Sequence, residues 1–271
     1  MTEKSPVTDG RPDQETTTAL WEGNAEAWTT MSRQGFDVCR DRMNTPTFLA
    51  MLPDVSGLRG LDIGCGEGTN TRLVAARGAT MTGVDVSRRF VEHARDHEES
   101  GRLGIDFVVG DGAYLTMPDV CFDFVMSTMC LMDVPDPDAV LKQAYRVIVP
   151  GGFLQFSITH PCFQTPKLRW LEDETGEVDG LLVGDYFAGR ADVEEWTFNQ
   201  APESLKSSFG NFRVAHFHRT LSQWLNSLVE IGFALERLEE PRPDRETIEL
   251  YPALKKLEQV AFFLHLRLRK T

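Results

Sequence analysis

The sequence predicts an α/β fold: a mainly parallel, seven-stranded sheet with helices on both faces. Three observations predict it. Short apolar strands alternate with helical stretches from residue 57 to 160, a glycine-rich turn follows the first strand directly, and two more strand patterns close the chain. At 271 residues there is room for one large domain, or for one domain with a sizeable insertion.

Residues 1–16, rich in Thr, Asp, Pro and Glu, read as a disordered tail. In the segment 17–56 apolar residues recur at helical spacing (Leu20, Trp21, Ala25, Trp28, then Phe36, Phe48, Leu49, Leu52), which predicts two or three helices. A core unit then spans 57–160. Strand one is expected at 58–63 and its helix at 68–77. Strand two is 80–86, followed by a helix at 87–99 with Ser87 as N-cap. Strand three is 105–110, ending at Asp111, and strand four is 122–127. A helix at 137–148 carries Arg146 near its end and is stopped by Pro150-Gly151-Gly152. Strand five is 153–159.

Between His160 and Ala215 the periodicity fails, and aromatic residues accumulate: Phe163, Trp170, Tyr186, Phe187, Trp196, Phe198, Phe209 and Phe212. So long an irregular stretch inside a compact fold reads as a lid or binding loop, an inserted cap over 161–215. Residues 216–271 complete the sheet, with a helix over 221–231 closed by Gly232 and strands near 233–239 and 260–268.

The net charge of −13 and pI near 4.9 argue against nucleic acid, since gripping phosphates needs a concentration of Lys and Arg. The longest apolar runs, such as 260–264, are far too short to cross a bilayer, so no membrane is expected. The polar N-terminus has no signal-peptide core. Five cysteines (Cys39, Cys65, Cys121, Cys130, Cys162), odd in number and without a C-x-x-C pair, read as reduced thiols in a cytoplasmic protein. A homodimer is left open.

The glycine turn reads Leu61-Asp62-Ile63-Gly64-Cys65-Gly66-Glu67-Gly68, and strand two ends on Asp85. A carboxylate at such a strand tip, about 20 residues after the glycines, can hold both hydroxyls of a ribose. In a dinucleotide-binding loop the third glycine falls three residues after the second, so that a helix N-terminus meets a pyrophosphate. Here the spacing is one residue tighter, and Asp62 and Glu67 flank the turn. Carboxylates suit a cationic amino group and repel phosphate. S-adenosylmethionine (SAM) carries an ammonium, a carboxylate, a sulfonium and a ribose without phosphate, and is the expected cofactor. Against this stands the plain reading that any tight strand-to-helix turn uses glycine.

In these motifs the chain resembles the class I SAM-dependent methyltransferases, whose Rossmann-like sheet is of the kind predicted above. The resemblance covers most of 57–160. It implies that the backbone around Gly64 and Gly66 lies against the methionine part of SAM, with Asp62 and Cys65 also among the cofactor-binding residues, Asp85 on the ribose and Val86 beside the adenine. Asp111, Gly112 and Ala113 resemble the end of the third strand, where Asp111 meets the adenine amino group. The stretch 122–127 followed by 131–136 resembles the fourth-strand motif, with Thr128 and Met129 near the methyl donor. Trp28 and Arg33 match segments that close over SAM in relatives. Within the superfamily the chain is most similar to the small-molecule branch with the ubiquinone and menaquinone enzymes (methyltransferase type 11). It departs from them in the long aromatic segment, and it lacks the Asn/Asp-Pro-Pro-Tyr-like motif of amide-modifying N-methyltransferases.

The resemblance implies methyl transfer to a small molecule at O, N or C. A SAM-binding protein that does not methylate stays open, as, less favoured, does an RNA methyltransferase. For a general base, His160 lies at the end of strand five, the edge where α/β sheets bind ligands, and His218 follows the aromatic segment. Each can equally be a structural histidine. His216 and His218 would share a strand face and could meet a metal only with further ligands, so no metal is expected. Trp170, Tyr186 and Trp196 can roof a substrate pocket, or form the core of the cap.

Overall fold

The computed structural model describes residues 10–271. Positions 1–9, most of the expected tail, lie outside the described residues. The first helix, α1 (Gln14–Arg33), starts before the expected tail boundary at residue 16, because the Asp13 carboxylate accepts the Thr16 N–H and caps it. A π-helical turn (Arg40–Asn44) then runs into α2 (Thr45–Met51).

The expected alternation follows: β1 (Arg59–Ile63), α3 (Thr69–Ala75), β2 (Thr80–Asp85), α4 (Arg88–Ser100), β3 (Asp106–Val109), β4 (Phe122–Thr128), α5 (Pro137–Val147) and β5 (Ile148–Thr159). Ser87 caps α4 by accepting the Phe90 N–H. Helix α5 ends at Val147, before the Pro150-Gly151-Gly152 expected to stop it, and those residues lie within β5. Gly152 is required there, since a Cβ would stand 2.5 Å from the Asp123 carbonyl oxygen.

The aromatic segment is not a loop. It holds two antiparallel pairs, β6 (Lys167–Glu172) with β7 (Val178–Gly184), and β8 (Ala191–Trp196) with β9 (Phe212–Phe217), with α6 (Glu203–Phe209) before β9. Strand β9 runs two residues past the expected cap boundary. After it come α7 (Leu221–Ile231), β10 (Phe233–Glu239), α8 (Arg245–Leu250) and β11 (Phe263–Lys270). Thr220 and Gln223 form a capping box at the start of α7, and Gly232 closes it at φ +110°.

The main sheet runs β10-β11-β5-β4-β1-β2-β3. Strand β11 lies antiparallel to both neighbours, and the other pairings are parallel. The order reverses between β1 and β4, so the carboxyl ends of these strands flank the crevice in which such sheets bind ligands. On one face Ile63, Val125, Phe156 and Leu266 pack against Leu141, Trp224 and Leu228 of α5 and α7. On the other, Met81, Phe107, Phe124 and Phe153 meet Phe48, Val74 and Ala94 of α2, α3 and α4. A third cluster joins α1 to the cap through Met31, Phe198 and Phe212. No helix among the described residues is long and apolar enough to cross a membrane.

Gly60 lets β1 lie close to its neighbours: a Cβ there would fall 2.3 Å from the Phe124 ring and 2.5 Å from Met81 Sδ. Gly60→Ala should therefore cost about 1–3 kcal/mol of unfolding free energy through overpacking, measured by denaturant titration.

Candidate active site

Three strand tips and the glycine turn are locked together through one residue. Asp85 Oδ2 accepts the Gly66 N–H at 2.8 Å and Oδ1 accepts the Ser87 N–H at 2.9 Å, while its backbone carbonyl accepts the Gly110 N–H at 2.9 Å. The turn needs its glycines, because Gly64, Gly66 and Gly68 stand at φ +74°, +54° and +87°. A Cβ at Gly64 would lie 2.3 Å from Cys130 Sγ and one at Gly68 would lie 2.8 Å from the Phe107 ring, whereas one at Gly66 would meet nothing within 4 Å. The open side of the turn is at Gly66.

Asp62 is fully buried beneath this turn. Its Oδ2 accepts the Thr71 hydroxyl at 2.7 Å, and its Oδ1 has no partner. Desolvation pushes its pKa up to about 7, against the lowering effect of Thr71, and pushes that of Asp85 up to about 6. Desolvation also holds the thiols of Cys65 and Cys130 above their ordinary range, so Cys65 packs within the turn as a neutral thiol.

Glu67 does not face a ligand. Its carboxylate takes Arg33 Nε at 3.0 Å, with Arg40 Nη1 at 3.8 Å, and so ties α1 and the π-helical turn to the glycine turn. Arg33 also donates to the His93 carbonyl. Trp28, expected over the cofactor, instead packs among Trp21, Trp196, Phe198 and Phe212. It sits on the cap-facing side of α1, because one helix cannot turn Trp28 and Arg33 to the same neighbour. The α1 residue that reaches the end of β2 is Glu22, which accepts the Ser87 hydroxyl at 2.7 Å.

Beyond β2, Val86 is half-buried, and Asp111 Oδ1 accepts the Ala113 N–H to cap the turn Gly112–Tyr114. At the end of β4, Thr128 Oγ1 accepts from Asn70 Nδ2 at 2.8 Å, and Asn70 Oδ1 accepts the Thr45 hydroxyl at 3.0 Å. Met129 adopts φ +53°, strain that a non-glycine residue carries mainly at functional positions.

The expected bases are both held in structural bonds. His160 Nδ1 accepts the Cys162 N–H at 3.2 Å, and Nε2 meets Glu240 Oε1 at 2.8 Å. That arrangement fixes an Nε2–H tautomer with both nitrogens engaged, and desolvation lowers the pKa despite Glu240. His218 Nε2 donates to the Tyr186 carbonyl at 2.8 Å, which props the cap on α7, and Tyr186 Oη accepts the Leu221 N–H. His216 Nδ1 lies 3.1 Å from Asp133, a buried carboxyl whose pKa desolvation raises to about 6. Asp133, just past β4, was not singled out in the sequence; its immediate neighbours, Met132 and Val134, are apolar and give no signal. Among the described residues no group of three or more His, Cys, Asp or Glu could hold a metal ion.

Of the three cap aromatics, Trp170 packs with Met43, Met129 and Phe263 at the end of β4. Trp196 belongs to the α1–cap core and Tyr186 is a strut.

Residues 61–156, from β1 into β5, match the family model described as a methyltransferase domain. The ubiquinone biosynthesis O-methyltransferase of Coxiella burnetii is 36% identical over 110 residues, 41% of this chain and 47% of that protein. The chain thus spans about half the length of the curated relatives it matches. A solved SAM-dependent methyltransferase from Mesorhizobium loti is 29% identical, with a TM-score of 0.68, over 83% of this chain and 96% of that one. The chain carries a class I SAM-dependent methyltransferase domain. Phosphoethanolamine N-methyltransferase 2 of Haemonchus contortus, solved with SAM bound, shares the fold at 20% identity and a TM-score of 0.55, over 84% of this chain and 52% of that one.

SAM is the cofactor of such a domain, and the residues present fit it. The unpartnered Asp62 oxygen belongs to a buried carboxyl that lacks a second donor, which an ammonium group would supply. Asp85 keeps lone pairs beyond its two backbone bonds, and the open side of Gly66 admits a ligand against the backbone.

These carboxyls set a sign. A folded-state pKa raised above 3.8 means that the folded protein holds protons the unfolded chain has released. Asp62 and Asp85 therefore make the ligand-free protein progressively less stable as pH rises from about 4 to about 7. Ammonium and hydroxyl groups favour the ionised forms. Affinity for S-adenosylhomocysteine should rise with pH through that same window, with proton release at about pH 6. Calorimetry in two buffers of different ionisation enthalpy checks this, and proton uptake would contradict it.

Proposed function

We propose that this chain transfers the methyl group of SAM to an oxygen, nitrogen or carbon atom of a small molecule, releasing S-adenosylhomocysteine. The observation that carries the reading is the pair of buried carboxyls at the glycine turn, Asp62 with an unpartnered oxygen and Asp85 bonded to Gly66. A net charge of −13 supports a small-molecule acceptor over a polyphosphate one. The matched stretch 61–156 ends before the cap, so the donor half carries the likeness, and the cap and N-terminal helices choose the acceptor.

When bound, SAM supplies a methyl carbon already activated by its sulfonium. The acceptor atom provides the electron pair of the new bond, the carbon–sulfur pair stays on sulfur, and any displaced proton leaves to water. What the chain contributes is alignment and exclusion of water. Asp62 and Asp85 hold the donor's polar groups, the Thr128–Asn70–Thr45 chain fixes the end of β4, and the Glu67–Arg33 contact closes α1 over the turn. Positioning of this kind lowers a barrier by about 7–11 kcal/mol. His160 and His218 act here as positioning residues for the cap, with no proton transfer assigned to them.

Incubation with methyl-labelled SAM and a fractionated extract of small metabolites, with bulk tRNA in parallel, tests the reading. Label in a small-molecule fraction is expected. Label on tRNA, or none anywhere despite tight SAM binding, would overturn it. Asp85→Ala should weaken SAM binding by more than about tenfold, roughly 1.4 kcal/mol, by calorimetry. An unchanged dissociation constant would contradict the ribose assignment.

A further inference from the structure

One face of the sheet carries buried polar groups that neither the core nor the donor site uses. Thr128 of β4, Ser157 of β5 and His265 of β11 stand in register across three strands, with Gln155 two positions along β5 on the same face. Asn44, the last residue of the π-helical turn, covers them. Its Oδ1 accepts the Ser157 hydroxyl at 3.2 Å, and one turn later the Phe48 carbonyl accepts from Gln155 Nε2 at 2.7 Å. Asn44, Gln155, Ser157 and His265 are all fully buried.

Four polar atoms in this band have no partner: Asn44 Nδ2, Gln155 Oε1, and both ring nitrogens of His265. Buried polar groups are nearly always paired, and each exception calls for a cause. Between them they hold both donors and acceptors, on adjacent strands and their cover, which is the chemistry that a hydroxyl or carbonyl group pairs with. Arg267, the next side chain on the same face of β11, is committed to Glu236 and the Met51 carbonyl. His265 itself stays neutral, its pKa lowered by burial to about 4. Beside the band lies the apolar cluster of Met43, Met129, Phe263 and Trp170, which reaches the strained end of β4. The cover is a π-helical turn, a conformation that recurs at functional sites.

Resting on the methyl-transfer reading, we propose that this band is the acceptor site. Asn44, Gln155 and His265 hydrogen-bond an uncharged hydroxyl or carbonyl group, and Met43, Met129, Phe263 and Trp170 hold the apolar body of the same molecule. The site selects neutral, largely apolar phenols and alcohols over carboxylates and amines. Entry requires the Arg40–Asn44 turn to lift Asn44 from Ser157.

The test uses the full chain saturated with S-adenosylhomocysteine, with para-propylphenol and beta-naphthol as probes and propylbenzene and para-propylbenzoate as controls. Calorimetry reads affinity, and nitrogen NMR of labelled histidine reads the His265 ring. Either phenol should bind about tenfold or more tightly than both controls and shift the His265 signals. His265→Leu should weaken phenol binding by about tenfold while S-adenosylhomocysteine binds as in the parent. Asn44→Ala, which leaves the sheet untouched, should weaken it in the same direction. If S-adenosylhomocysteine binds but neither phenol moves the His265 signals, or if both variants bind phenol like the parent, the proposal is wrong and the band holds water only. Loss of S-adenosylhomocysteine binding in the parent protein would instead strike the methyl-transfer reading.

Discussion

The carboxylate of Asp85 is the constraint from which the proposed donor site is built. Its two oxygens and its carbonyl bind backbone N–H groups from the turn after β1, from the start of α4 and from the end of β3. Three loops that share no sequence neighbourhood are thereby fixed to one another, and through Ser87 and Glu22 to α1 as well. Backbone donors pointed at one buried anion are a rigid arrangement, because moving any of the three loops strands a charge in a dry environment. The positive φ angles at Gly64, Gly66 and Gly68 are what the chain needs to bring the Gly66 N–H to that anion.

Glu67 extends the same constraint outward. Lying between two of those glycines, it meets Arg33 from the end of α1 and Arg40 from the start of the π-helical turn. Arg40 also donates to the hydroxyl and carbonyl of Ser32, so the end of α1 and the π-helical turn move as a unit. The turn's last residue is Asn44, whose amide lies over Ser157. Two guanidinium groups thus connect the glycine turn to the cover of the polar band on β5 and β11. The path is a contiguous set of hydrogen bonds and ion pairs, and it joins the proposed donor loop to the segment over the proposed acceptor site.

Much of the donor half was legible because its signals are local. A glycine at positive φ, an N-cap serine and an acid at a strand tip each declare themselves within a few residues, and Ser87, Asp85 and Gly232 stand where their neighbours imply. The cap was illegible for the opposite reason. Strands β6 and β7 bury little on either face, so no alternation marks them, and the aromatic residues of β8 and β9 find their partners on α1, more than a hundred residues away. Trp28 reads as a donor-site residue by its place in the chain, yet its ring completes the cap's core. His160 follows the end of β5 as its place in the sequence implies, but the bonds of His160 and His218 to Glu240, Cys162 and the Tyr186 carbonyl depend on contacts that spacing does not reveal. His265 gave no signal at all, being one polar residue in an otherwise apolar strand.

Among the described residues, five of the eight unmet buried polar atoms belong to one face of the sheet and its cover, the other three being Thr17 Oγ1, Thr29 Oγ1 and His97 Nδ1 on helices. Asp62 Oδ1 lies under the glycine turn on β1, Gln155 Oε1 two strands away on β5 and the His265 nitrogens three strands away on β11, all on one face of the sheet, with Asn44 Nδ2 in the turn that covers it. Two raised carboxyl pKa values sit at one end of that line and a lowered imidazole pKa at the other. A fold selected for stability alone would replace such groups with apolar side chains, since an orphaned buried polar atom costs about 1–3 kcal/mol. Their alignment along the face from donor turn to β11 matches a site shaped for two ligands meeting at the end of β4. The charged end can receive an ammonium, and the neutral end can receive a hydroxyl. That asymmetry is what a methyl donor and an apolar acceptor require of one surface, because a second buried charge would have to be desolvated without a partner.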